Sequence, residues 1–175
     1  AEAQARPQPI PFCGELGSIN PVVALPKALS ARGAELAQAL AASIGLGAGQ
    51  FCTSPGVLLV FDDAVSQGFV DGLKSVLAKL TPHVMLTPAI RKGFDVGTAR
   101  LTNHPRVRTL LTGDATSATP RPALVETDAA SFIADHALRE EVFAPAAIVV
   151  RVRSVDEAID VLRAVGGSLT VTLWG

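Results

Sequence analysis

The 175-residue chain balances 15 Lys plus Arg against 16 Asp plus Glu, for a formal charge of −1, and 49% of its residues are hydrophobic. That balance excludes the strongly basic footprint of a nucleic-acid binder, and no apolar stretch approaches the roughly 20 residues that cross a bilayer. With no charged-then-apolar leader in "AEAQARPQP", a soluble, cytoplasmic single domain is expected, long enough to bury about 70% of its unfolded-state surface.

In chain order, the first strand-like segment is "PIPFCGEL", residues 9–16, followed by an apolar run at 22–25. Residues 28–44 space Leu29, Leu36, Leu40 and Ile44 at near-helical intervals, which predicts an amphipathic helix. "GLGAG" at 45–49 superficially suggests a phosphate loop. It follows a helix rather than a strand, however, so it is read as a helix terminator. The run "VLLVF" at 57–61 predicts a strand, and Asp62 and Asp63 behind it are placed to cap a helix over 64–80. On that helix Val65, Phe69, Leu73 and Leu77 share a stripe. Further strands are expected at 107–111, 123–126, 147–152 and 168–173, with a loop over 113–122. "SVDE" at 154–157 is a capping box opening a third helix that buries Ala158, Ile159 and Leu162. Several strands are continuous apolar runs, as expected when both faces are covered. Strands alternating with long helices predict an α/β domain, three-layer α/β/α with a largely parallel sheet.

Few residues carry chemistry. Cys52 lies in "GLGAGQFCTSPG", a glycine-flanked loop just before a strand. A thiol there is accessible as a nucleophile, and nearby glycines let backbone N–H groups approach an oxyanion. A buried structural cysteine would fit the same local sequence. Glu15, between Gly14 and Leu16, is a candidate for desolvation, the condition that tunes a carboxylate to general-base duty; a solvated strand-end Glu is the other reading. The adjacent Glu140 and Glu141 read locally as a solvated turn. The three histidines are scattered, with no metal-ligand spacing, and give Cys52 no nearby partner for a thiol hydrolase. A Cys13–Cys52 bridge is permitted, but a chain this apolar needs no staple.

Taken together, three segments resemble signatures of the aldehyde dehydrogenase superfamily. "ELGSINP" (15–21) is similar to its Glu-Leu-Gly-Gly-Lys-x-Pro motif, "GQFCTSPG" (49–56) to its Gly-Gln-x-Cys motif, and "EVFAP" (141–145) to its Glu-[Val/Ile]-Phe-Gly-Pro motif. They occur in the family's order, and the resemblance runs through essentially all 175 residues. Ser18 and Ile19 depart from the usual Gly and Lys, and Ala144 from the usual Gly.

The resemblance implies a catalytic domain that oxidises an aldehyde to a carboxylate using NADP or NAD. Cys52 would attack the carbonyl carbon, and Glu15 would activate the water that hydrolyses the thioester. Glu141 would bind the nicotinamide-ribose hydroxyls, Phe143 would pack beside the nicotinamide, and Leu16 and Gly17 would give backbone contacts near the ring. No metal is implied. "ELGSINP" with "GAGQFCT" is most similar to the branch acting on α-ketoglutarate semialdehyde (2,5-dioxopentanoate). The family's dinucleotide-binding domain, which carries most of the cofactor contacts, is not found in these residues. The chain is therefore expected to be one incomplete catalytic domain, cut at both ends, inactive alone and part of a homo-oligomer. A non-catalytic α/β association module is the alternative.

Overall fold

A computed structural model describes residues 2–112 and 119–175. Most of the predicted loop over 113–122 therefore lies outside the described residues. A short helix α1 (Glu2–Ala5) precedes a long irregular stretch. Then come β1 (Pro21–Ala24), α2 (Pro26–Gly45), β2 (Val57–Phe61), α3 (Ala64–Leu77), α4 (Pro88–Thr102) and β3 (Arg108–Leu111). The chain continues through β4 (Ala123–Asp128), α5 (Ala129–Ala134), β5 (Ala146–Val152), α6 (Val155–Val165) and β6 (Thr172–Trp174).

These strands form one six-stranded sheet in the order β3-β4-β5-β2-β1-β6. All neighbours are parallel except β3, which pairs antiparallel with β4 at one edge. Alternation along each strand feeds two cores. Leu58 and Val60 of β2 face a layer built on Leu40 of α2 and Leu73 of α3. Val57 and Leu59 face the opposite layer, with Phe132 of α5 and Val161 of α6. The expected three-layer α/β/α arrangement with a largely parallel sheet is thus present. Among the described residues no helix is long and apolar enough to cross a membrane.

Several expectations need correction. Residues 9–16 form no strand; prolines at 9 and 11 remove ladder donors there. Strand β6 covers only the end of the predicted 168–173, because the N–H groups of Leu169 and Thr170 go to the side chains of Ser18 and Asn20 instead. Helix α4 was not anticipated. Asp63 caps α3 by accepting from Ser66 N at 2.7 Å, whereas Asp62 does not share the task. In the capping box, Ser154 accepts from Glu157 N at 3.1 Å as expected, but the Glu157 carboxylate reaches Arg153 N rather than the cap residue. The buried face of α6 is Ala158 with Val161, and Ile159 points outward. Val65 of α3 is likewise exposed.

Candidate active site

All the candidate residues sit at one edge of the sheet. Glu15 to Asn20 lead into β1, Cys52 to Gly56 lead into β2, and Glu141 to Pro145 lead into β5. Because β1, β2 and β5 are parallel neighbours, their amino ends lie side by side. Residues separated by more than a hundred positions meet there.

The loop before β2 is built by its glycines. After α2 the chain turns through Gly47, Ala48 and Gly49, all with positive φ. At Gly49 (φ 68°) a Cβ would lie 2.3 Å from the carbonyl carbon of Ala144, so only glycine lets this loop rest on the Ala144–Pro145 backbone. Gln50 braces the same loop, donating to Gly47 O at 2.7 Å and accepting from Leu86 N at 2.8 Å. A turn closed by Ser54 N donating to Phe51 O at 3.0 Å then presents Cys52, whose side chain is exposed and whose thiol is free. Cys13 is free and exposed as well, so no bridge joins them.

Glu141 is the desolvated carboxylate of the site. Half-buried, it accepts from Ser18 N through Oε2 at 3.2 Å. Burial pushes its pKa above the ordinary carboxylate range; the Ser18 N–H opposes that rise, and the negative charge of Glu15 adds to it. Among the described residues its other oxygen, Oε1, accepts no hydrogen bond. Gly17 lies directly against it: a Cβ there would stand 3.1 Å from Oε2. Glu15, by contrast, is exposed. Of the two sequence readings of Glu15 the structure bears out the solvated one, and the correction falls on Glu141, which reads locally as part of a solvated turn but is half-buried against distant segments.

Leu16 is 90% exposed and Phe143 40% exposed, leaving apolar side chains flanking the carboxylates. A cavity of about 30 Å³ is lined by Ser18, Ser54, Gly56, Glu141 and Val142, room enough for a water molecule. Cys52 and Glu15 are not part of its lining. The arrangement can offer a nucleophilic sulfur, a solvated base and an acceptor for a diol within one cluster of loops. The family match decides what kind of domain this is: the model for the aldehyde dehydrogenase family matches residues 2–175.

The chain belongs to the aldehyde dehydrogenase family.

Its relatives within the family include two curated proteins matched over 98% of the chain. One is alpha-ketoglutaric semialdehyde dehydrogenase 2 of Azospirillum brasilense, 44% identical over 173 residues. The other is alpha-ketoglutaric semialdehyde dehydrogenase of Acinetobacter baylyi, 34% identical over 174 residues. The chain spans 33% of the length of each. In fold it is similar to a crystal structure of a NAD-dependent benzaldehyde dehydrogenase from Corynebacterium glutamicum, with a TM-score of 0.76 at 20% identity. That likeness covers 92% of this chain and 36% of the other.

The sequence reasoning overlooked Asn20. It is 2% exposed, adopts φ 28°, and donates through Nδ2 to the carbonyls of Cys52 at 2.8 Å and Ser54 at 3.0 Å. Its only local signal was a short amide side chain beside a proline, the type that tolerates left-handed backbone.

Proposed function

We propose that this chain is the nucleophile-bearing part of an NAD(P)-dependent aldehyde dehydrogenase. The observation that carries the reading is the convergence of the three lead-in loops, tied by the Glu141–Ser18 and Asn20–Cys52 hydrogen bonds.

In this reading the Cys52 thiol first gives its proton to Glu15, which passes it to solvent. The thiolate adds to the aldehyde carbon, a C–S bond forms, and the carbonyl oxygen becomes an alkoxide to which backbone N–H groups donate. Bound NAD(P)+ would supply the acceptor for the hydride that leaves this carbon, giving a thioester on Cys52. Glu15, free in water, takes a proton from the water molecule that adds to the thioester. The C–S bond then breaks, releasing carboxylate product and the sulfur.

The residues fit the nicotinamide riboside end of the cofactor. Glu141 keeps one carboxylate oxygen unpartnered among the described residues, the acceptor a vicinal diol needs. Phe143 and Leu16 offer apolar surface to a flat ring, and Gly17 gives the ring close access to backbone. Most of the cofactor's binding surface would come from outside this chain, which should turn over little aldehyde by itself. The names of the relatives support α-ketoglutarate semialdehyde as substrate.

A role in subunit association draws on a different observation: edge strand β6 leaves Leu173 66% exposed. That surface is compatible with a homo-oligomeric dehydrogenase. It favours a non-catalytic module only if the thiol is idle. Cys52→Ala in the dehydrogenase that carries this chain separates the two. Loss of aldehyde-dependent NADPH or NADH formation by at least about 10⁴-fold is expected; unchanged turnover would refute the catalytic reading.

A further inference from the structure

We propose that Asn20 is a positioning residue for Cys52, a clamp that sets the conformation of the nucleophile turn. The inference rests on the reading of Cys52 as the nucleophile. A primary amide has two donor hydrogens and two acceptor lone pairs, and buried Asn20 uses all of them. Nδ2 donates to Cys52 O and Ser54 O, at 2.8 and 3.0 Å. Oδ1 accepts from Ser18 Oγ at 2.7 Å and from Thr170 N at 3.1 Å. Those two donors fix the amide's orientation, because a flipped amide would set its NH₂ against a backbone N–H.

Ser18 is held in turn, accepting from Leu169 N at 2.9 Å. The β1 and β6 lead-ins thus form a rigid frame, and the turn at 51–54 hangs from it by two carbonyls. The Asn20 end of the clamp is buried, where a polar group is costly to leave unpaired. With the Cys52 carbonyl directed inward to Asn20, the trans peptide sends the N–H of Thr53 the opposite way, away from the amide. Asn20 therefore controls both where the turn carries the sulfur and which way the Cys52–Thr53 peptide dipole points. Asp at this position would turn a carboxylate against two carbonyl oxygens, releasing the turn and adding negative charge behind the sulfur. Ala would release the turn alone.

The test is iodoacetamide alkylation of the full chain across pH 6 to 10, followed by peptide mass spectrometry, with Cys13 as the internal control. Circular dichroism verifies the fold of each variant. In the wild type Cys52 should label faster than Cys13. Asn20→Ala should slow Cys52 several-fold. Asn20→Asp should slow it about tenfold near neutral pH and move its rate profile about one unit higher. Cys13 should be unaffected in both. Should neither variant fold, Ser18→Ala, which removes the hydroxyl that orients the amide, should slow Cys52 about threefold. Wild-type rate profiles in the folded variants would overturn the clamp while leaving the nucleophile reading intact. A wild type in which Cys52 labels no faster than Cys13 would overturn both.

Discussion

The two edges of the sheet are built on opposite lines. At the carboxyl edge, strands run straight into helices whose first turns are filled by the chain's own side chains. Asp63, Asp128 and Ser154 cap α3, α5 and α6. Charges there are matched: Glu126 accepts from Arg151 at 2.9 Å and from Arg108 at 2.7 Å, and Arg151 also donates to Gln67 at 2.7 Å. At the amino edge the backbone is held by a neutral amide, a hydroxyl and glycine contacts, while Cys52 and Glu15 are left in solvent. Ligands of open α/β sheets commonly bind beyond the carboxyl ends of the strands. In this domain that edge is occupied with stabilising itself, and the groups proposed to react are gathered at the other.

The contrast can be broken first at Gly49. Gly49→Ala forces a side chain into the Ala144 backbone at positive φ, and should cost about 3 kcal/mol in urea unfolding. A cost under about 0.5 kcal/mol, the scale of an ordinary surface change, would mean that the lead-in loops are not packed as described. Next comes the carboxyl edge. Glu126→Ala strands Arg151, whose side chain is 11% exposed, and should cost about 2 kcal/mol, less than a fully buried pair because Gln67 still accepts. No loss would show that this network is ornamental.

The smallest effects have opposite signs at the two edges. The Ser131 N–H holds the Asp128 carboxyl below its ordinary range. Its contribution is therefore complete at neutral pH and fades as pH falls through the carboxylate range. Asp128→Asn should lose about 0.5 kcal/mol at pH 7, kept small by solvent screening at this exposed position, and progressively less as pH falls below the ordinary aspartate range. Burial holds Glu141 above its ordinary range, so the folded state prefers it protonated and the penalty grows as pH rises. Glu141→Gln should gain a smaller amount at pH 7 and nothing below the carboxylate range. Matching signs at the two positions in pH-dependent melts would erase the distinction between the edges.

The sheet was readable because its strands are continuous apolar runs bounded by turn residues, and Leu29, Leu36, Leu40 and Ile44 all proved buried. Helix α4 was hidden because its buried face is only Phe94, Gly97 and Leu101. A glycine that makes room for Val142 carries no hydrophobic signal. Its start was nonetheless written in Thr87 and Pro88, a cap followed by a first-turn proline. Ile159 and Val161 exchanged roles because helical spacing fixes a face only to within a residue or two. The positions of Cys52, Glu15 and Glu141 were legible through motifs, but which carboxylate is desolvated was not, since burial depends on distant segments. Asn20 escaped for the same reason: its partners lie 32, 34 and 150 residues away, as well as two.

The central claim is that the Cys52 sulfur, and no other, carries the substrate. Glu15→Gln should remove the base that frees the acyl group while sparing the sulfur. The dehydrogenase with this substitution, mixed with α-ketoglutarate semialdehyde and NADP+ and acid-quenched, should yield a Cys52 peptide heavier by the acyl group. An unmodified Cys52 peptide while reduced cofactor still forms, or the added mass on Cys13, would contradict the account.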